Sequence, residues 1–427
     1  MVRQEDPRGL QPWDELPSFC ETILSGMGFT IAAFLRYNVD MIVCFEYKMY
    51  PDREHVETML HTFEVCRHLY NNALSQRIQA WKYDHVSLNY CTLANELPAL
   101  KKKAQPLTTI HSQVVQDVLK RLERAYANFF RRVQQKKKGK KIKAGFPRFK
   151  GIGRYRSFTY PSWGNGVSLD GDILHLSKIG DIRIRLHRVL EGTPKTATIS
   201  KKADGWYVSI ACKVEEEPLP KTGKDVGIDV GIENFATLSD DNDTIPNSRF
   251  LQKAQAHLRV CQRRLERRSR YSGRGKKRKL LSHQSKRRDK ARVLLAKAHQ
   301  NVARARKDFH HKVAYALVHA FDTIYIENLS IGNMLKNHCL ARAISDVAWG
   351  QFFQILKNKA ERAAKIVMDV APYNTSQICS GCGRIVPKAL SCRVHRCPYA
   401  DCGLNVHRDK NSAEQIRKVG RDAALSR

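Results

Sequence analysis

The 427-residue sequence predicts an α+β chain of several domains: an antiparallel β-barrel or sheet with a helical insertion, then an α/β layer carrying a zinc ribbon. Three observations carry this expectation. Between 167 and 214 the short runs ILHL, IRIRLH, TATIS and WYVSIACKV, separated by Gly and Pro, alternate with the period of antiparallel strands. Beyond Pro218 and Pro220, apolar strand patterns (DVGIDV, TIYIENL, KIVMDVA) alternate with helical ones, as in an α/β layer. Two paired-cysteine knuckles, CSGC and CPYADC, lie near the C-terminus.

The elements follow in order. Ile42 to Tyr50 (IVCFEYKMY) alternates apolar and polar residues and reads as a strand, ended by Pro51. Asp52 is placed to cap a helix that carries Val56, Met59, Leu60, Phe63, Leu69 and Tyr70 at helical spacing. A second helix is expected from about Thr109 to Val133, with Ile110, Val114, Val118, Leu122, Tyr126 and Phe130 in one stripe. Both stripes read as bundle core. Lys136 to Lys143 is nearly all lysine, and GFPRFKGIGRYRSFTYP then interleaves basic residues with Phe146, Phe149, Tyr155, Phe158 and Tyr160. Such a surface suits phosphates and stacked bases; a solvated loop with core aromatics is an equal alternative. The stretch from about Leu251 to His310 reads as a helical arm, with Glu266 and Asp289 almost its only acids, which favours a nucleic-acid contact over a merely solvated face. A further helix is expected over about Ser345 to Ala364.

Charge and cysteines narrow the class. Lys plus Arg number 75 against 41 Asp plus Glu, a net +34 that calls for a polyanion, and nucleic acid is the obvious one. By charge alone a ribosomal or histone-like binder fits too. Of twelve cysteines, Cys20, Cys44, Cys66, Cys91, Cys212, Cys261 and Cys339 are scattered, and five crowd between Cys379 and Cys402. Scattered thiols beside one tight cluster point to a reducing cytosol and a metal, against a disulfide framework, so a cytoplasmic protein is expected. No run is long enough to span a bilayer, and Ile23 to Leu35 lacks the basic flank of a signal peptide. Residues 1–40 are mildly acidic and read as a disordered extension, or as a start placed too far upstream of Met41.

Candidate chemistry rests on acids and thiols. Asp229 lies in an apolar strand beside Gly227 and Gly231, Glu327 ends another, and Asp409 sits in HRDKNSAEQI where a helix begins, with Asn411 two residues on. A carboxylate at the edge of a buried strand is costly unless paired or bound to a metal. Each acid alone reads equally as a cap or an ion-pair partner; together, in a basic chain, they suit Mg²⁺ and phosphodiester chemistry. Cys379, Cys382, Cys397 and Cys402 match a structural zinc site, each knuckle followed by a turn glycine, Gly383 or Gly403. Cys392 is then surplus, and His395 or His407 is a less favoured replacement ligand. GxSxG, Walker and HExxH patterns are absent, and His310 and His311 read as structural or surface residues.

In this order, GIDVGIENFATLS, IYIENLSI, ISDVAWGQFFQILKNKAERA, TSQICSGCG and CPYADCGLNVHRDKNSAEQI resemble the TnpB (OrfB) family of insertion-sequence proteins. The likeness extends upstream through EYKMYPDREH, CRHLYN, LTTIHSQVVQDVLKRLERAYANFFRR and GFPRFKG, covering about residues 42 to 416. It implies an RNA-guided DNA endonuclease, active in transposition and related to type V CRISPR effectors. A RuvC-like, RNase H-type domain (221–378 and 406–427) would cut DNA with Mg²⁺ held by Asp229, Glu327 and Asp409. A zinc ribbon (379–405) would bind Zn²⁺ through Cys379, Cys382, Cys397 and Cys402. A wedge-like β domain (42–50 and 148–218) and a helical recognition insertion (51–147) would hold guide RNA and target DNA, leaving base pairing to read sequence. CPYADC is longer than the family's usual CPxC, and residues 1–41 have no counterpart. Two alternatives stay open: a non-cleaving transposition accessory or regulator, and a miniature type V effector.

Overall fold

The computed structural model describes residues 39–139, 142–240, 244–273, 279–281, 283–389 and 391–425, so the expected N-terminal extension lies almost wholly outside the described residues. Two compact units emerge, Asp40–Glu215 and a second built on Glu216–Arg427.

In the first unit β1 (Val39–Met49) alternates as its sequence demands, burying Phe45, Tyr47 and Met49. Asp52 caps α1 (Arg53–Asp84), accepting from the His55 N–H at 2.8 Å. Then come α2 (Tyr90–Lys103) and α3 (Ser112–Lys137). The expected stripes supply core, with two exceptions: Leu60 and Phe130 are exposed. Helix α2 escapes a sequence reading because it buries only Leu93 and Leu97 and contains Pro98. Six strands follow: β2 (Ser157–Tyr160), β3 (Val167–Asp170), β4 (Ile173–Leu176), β5 (Gly180–Arg185), β6 (Thr193–Lys202) and β7 (Gly205–Glu216). With β1 they form a seven-stranded sheet in the order β2-β6-β7-β1-β5-β4-β3. Helices pack on it through Phe63, whose ring stacks on Trp206 at 5.3 Å and meets Phe158 edge-on at 5.7 Å. The aromatic-basic segment divides: Tyr155, Phe158 and Tyr160 are buried, while Phe146 and Phe149 face solvent.

The second unit opens with β8 (Asp225–Val230), β9 (Asn234–Leu238) and β10 (Thr244–Pro246). Where one helical arm is expected there are two helices, α4 (Phe250–Arg268) and α5 (Lys286–Ala320), joined through a short hairpin of β11 (Tyr271–Ser272) and β12 (Lys279–Leu280). The arm has its own small core of Leu258, Cys261, Ala298 and Val302. Next are β13 (Thr323–Glu327), α6 (Ile331–Met334), α7 (Ala341–Val347), α8 (Trp349–Arg362) and β14 (Ile366–Val370). The single helix expected over 345–364 is thus broken: Ala348 adopts a left-handed φ of 54° and the buried Trp349 starts a new helix. The hairpin β15 (Val394–Arg396) and β16 (Asn405–His407) leads into α9 (Arg408–Leu425).

A five-stranded sheet in the order β10-β9-β8-β13-β14 organises this unit. Strands β8, β13 and β14 run parallel, and β9 and β10 continue one edge antiparallel. Val226, Ile228, Ile324 and Ile326 face a core shared with Leu317 of α5 and Phe352 of α8. On the opposite face Tyr325 and Val370 pack against Ile416 of α9. Helices therefore cover both faces, which is why these strands read as continuous apolar runs. Among the described residues no helix is long and apolar enough to cross a membrane.

Candidate active site and metal centre

Ile228 of β8 pairs with Ile326 of β13, so the next residues, Asp229 and Glu327, stand side by side at the carboxyl ends of parallel strands. Open α/β sheets bind ligands at that end. Alternation sends Val226 and Ile228 into the core and turns Gly227 and Asp229 towards α9. A Cβ on Gly227 would stand 2.1 Å from the Ala413 carbonyl oxygen and 2.6 Å from the Arg417 nitrogen. One on Gly420 would fall 2.1 Å from the Tyr325 ring. Two bare positions, one in the sheet and one in the helix, set how closely α9 approaches.

The first turn of α9 spends consecutive side chains on different neighbours. Arg408 lends positive charge to Asp229, and Ser412 hydrogen-bonds its carboxylate. Asp409 faces the pocket from a helix N-terminus, where negative charge is favoured. Lys410 donates to the Ser239 carbonyl at 3.1 Å, at the end of β9. Asn411, fully buried, accepts from the Ser380 N–H and donates to the Ile378 carbonyl, both at 2.8 Å.

Burial, then the charges of Glu327 and Asp409, raise the Asp229 carboxyl well above its usual range; Arg408 and Ser412 offset this only in part. Burial also raises Glu327, countered by the Thr375 hydroxyl, which donates to its Oε1 at 2.5 Å. All three acids line a pocket of about 990 Å³, together with Thr375, Arg393 and Arg408. Arg393, directly before β15, reaches in as well, 3.2 Å from Glu233 and 4.0 Å from Asp409. Carboxylates gathered in one pocket, with a hydroxyl and two guanidinium groups lining it, suit a hard divalent cation and a phosphate. Sequence reasoning missed Thr375, Arg393, Ser412 and Gly420; only Ser412, three residues after Asp409 on a helix, carried a local signal.

The cysteines make a tighter cluster. Among the described residues, Cys379, Cys382, Cys397 and Cys402 form the group whose ligand atoms all lie within 4.8 Å of one another. The Cys379–Cys402 and Cys382–Cys397 sulfur pairs are each 3.7 Å apart. Sulfurs at the corners of a tetrahedron around Zn²⁺ would be about 3.8 Å apart, given Zn–S bonds of about 2.3 Å. The four thiols therefore fit zinc. Gly381 must lack a side chain, since a Cβ there would stand 2.8 Å from the Cys402 sulfur. Gly383 and Gly403 take left-handed φ values of 74° and 54°, closing each knuckle. Burial works against a charged Cys379, but the Cys382 and Gly381 amides and the His395 ring bring its thiol down to about 6. His395 is fully buried beside the cluster, bonded to Lys388 through Nδ1, and is not one of the four ligands. His407 accepts from the Asp409 N–H at 3.3 Å and is not a ligand either. Cys392 is exposed and surplus, and its thiol bonds the Val394 carbonyl at 3.2 Å. His310 is a core residue, its Nε2 3.0 Å from the Val347 carbonyl and its pKa lowered by burial to about 4.

Comparison with known proteins locates the chain. Family models match at 209–338 (OrfB_IS605, "Probable transposase"), 349–416 ("Cas12f1-like, TNB domain") and 41–85 ("Helix-turn-helix domain"). A Streptomyces pristinaespiralis protein named "Putative RNA-guided DNA endonuclease" is 33% identical over 389 residues, covering 88% of this chain and 89% of its own. Escherichia coli K12 has a similar protein, "Putative RNA-guided DNA endonuclease InsQ", 31% identical over 397 residues, 88% of this chain and 92% of its own. In fold, the chain resembles the protein in a Cas12f1–sgRNA–target DNA complex, with a TM-score of 0.51 at 13% identity over 86% of this chain and 83% of that one. The matched segments run through β8, β13, the cysteine cluster and the start of α9, and identity above 30% over 88% of the chain with two relatives leaves one conclusion: the chain belongs to the TnpB (OrfB) family of insertion-sequence proteins.

Proposed function

We propose that the chain is a transposon-encoded, RNA-guided DNA endonuclease that hydrolyses phosphodiester bonds with Mg²⁺ at a RuvC-like site formed by Asp229, Glu327 and Asp409. One observation carries the reading: carboxylates from β8, β13 and α9 line a single pocket, and Asp229 is pushed well above its usual range by burial and by the other two. The names of the Streptomyces and Escherichia relatives support it. Guide RNA and target DNA are the partners. We assign 42–50 and 148–218 to a wedge-like β domain, 51–147 to a recognition insertion, 221–378 and 406–427 to the nuclease and 379–405 to the zinc ribbon.

Bound magnesium would supply charge neutralisation and an activated water for in-line displacement. The chain's own groups prepare for it. Ser412 orients Asp229, Thr375 fixes Glu327, and the α9 N-terminus presents Asp409. Arg393 and Arg408 line the same pocket, placed to receive non-bridging phosphate oxygens through charge-assisted hydrogen bonds. Four thiolates around zinc leave no open position, so the ribbon braces Asp409 through Asn411 and does no chemistry itself. The test is cleavage by the purified chain assembled with RNA transcribed from its own locus, on DNA matching the guide. Wild type should cut with Mg²⁺ and Asp229→Ala should not; equal survival of the DNA with both would end the nuclease reading.

A further inference from the structure

From Ala125 to Arg156 the sequence holds twelve Lys and Arg and no Asp or Glu. The same segment carries a connected group of phenyl rings that the fold leaves in water. Phe130, late in α3, is 54% exposed, and Phe146 is 45% exposed. Phe129 lies 5.2 Å from each of them, and Phe146 stands edge-on to the buried Tyr126 at 5.6 Å. Beneath, the Arg77 guanidinium covers the Tyr126 ring at 3.9 Å. The outer rings are thus propped on a filled inner layer and have nowhere to turn in. The extended stretch bearing Phe146 is also pinned. Lys150 N–H donates to Asn71 Oδ1 at 2.7 Å, and Asn71 Nδ2 donates back to the Lys150 carbonyl at 3.0 Å. Phe149, in the same stretch, is 57% exposed.

We propose that Phe130 and Phe146 form a stacking platform for unpaired bases of an RNA whose phosphates meet the surrounding lysines and arginines. Phenyl faces with basic side chains around them bind nucleic acid by stacking and counter-charge together. A paired DNA duplex offers no free base face, whereas loops and bulges of a folded RNA do. A segment of twelve basic residues without an acid is also complementary to a polyanion and repels another basic chain. This inference rests on the nucleic-acid reading above and names a place for the RNA within 40–215.

The test uses the full chain carrying Asp229→Ala, without Mg²⁺, so that binding is read apart from cutting. Probes are a short unstructured RNA, the same RNA in a duplex, and the chain's own transcript with photo-crosslinking bases. Phe130→Ala with Phe146→Ala should weaken unstructured RNA about 10–100-fold. Duplex affinity should hold within about twofold, with the same dependence on salt, because no phosphate contact is removed. Phe146→Trp should keep the affinity and show indole fluorescence quenched by RNA, a readout independent of how well the alanine variant folds. Several results would overturn the proposal: equal losses for unstructured and duplex RNA, full affinity in a Phe→Leu pair, crosslinks from this surface to DNA in place of RNA, or self-association that depends on these rings. Normal RNA stacking with no DNA cutting by wild type would sink the nuclease reading and spare this one.

Discussion

The parallel strands of the second unit carry acids at both ends, and the two ends treat them in opposite ways. At the amino ends Asp225 is paired with Arg421. Asp322, just before β13, accepts from the Thr222 and Gly223 amides at 2.9 and 2.7 Å and from the buried Lys365 ammonium at 2.5 Å. Burial works against its charge, yet these donors win and hold its carboxyl below the usual range. At the carboxyl ends burial raises both Asp229 and Glu327, and Asp229 rises further beside the charges of Glu327 and Asp409. Structural acids come with their donors supplied; the acids of the proposed nuclease site are left short of positive charge that a cation would bring.

Isosteric exchange at the two ends should separate them. Asp229→Asn should abolish cutting while leaving the Mg²⁺-free melting temperature unchanged or higher, because a buried like-charge cost is removed. Asp322→Asn should lower stability by about 3 kcal/mol, since it strands the Lys365 charge. The pH dependences have opposite signs. The Asp322 contribution is present above the unfolded carboxylate pKa and is lost as pH falls through the depressed folded value. For Asp229, raised in the fold, the favourable contribution belongs to the protonated form: present below the unfolded pKa, lost as pH rises through the elevated folded one. Melting curves across pH, with zinc retained and magnesium withheld, should show Asp229→Asn gaining on wild type only towards neutrality. A gain that is the same at every pH would break the comparison.

What could be read in advance divides by the range of the interactions. Asp229 and Glu327 were legible because a charge closing an apolar strand is locally anomalous, and the four thiols because knuckle spacing is a local constraint. The sheet of the first unit was legible from period-two alternation in IRIRLH and WYVSIACKV. Phe130 was misread as core because helical periodicity does not say where the core beneath it ends. Breaks at Ala348 and at the β11–β12 hairpin depend on packing between distant segments, and so does the meeting of Thr375 with Glu327 across 48 residues of chain.

The close approach of α9 offers a second way to sharpen the contrast. Gly227→Ala places a methyl against backbone atoms of Ala413 and Arg417 that cannot rotate away, so the helix must shift. Overpacking of this kind costs about 1–3 kcal/mol. Its reach at the carboxyl end should be larger than the stability loss suggests, because Asp409 and Ser412 ride on the displaced turn. A misplacement on the order of 1 Å costs about 100-fold in rate. Cleavage rates beside thermal melts would decide it: a rate loss no greater than that of an equally destabilising core variant such as Leu317→Ala would show that α9 position does not matter to the site.

Thr375→Val should give the smallest effect and the most specific one. Its hydroxyl donates to Glu327, a hydrogen bond that offsets the burial of that carboxylate. Valine keeps the shape and removes the donor, so the melting temperature should move little, by the equivalent of about 1 kcal/mol. Glu327 would then be free to turn, and the Mg²⁺ concentration needed for half-maximal cutting should rise about tenfold, as when a group that orients a metal ligand is lost. Thr375→Ser, which restores the donor, should return the requirement to the wild-type value. If valine and serine behaved alike, Thr375 would serve only local packing and Glu327 would be held by burial alone.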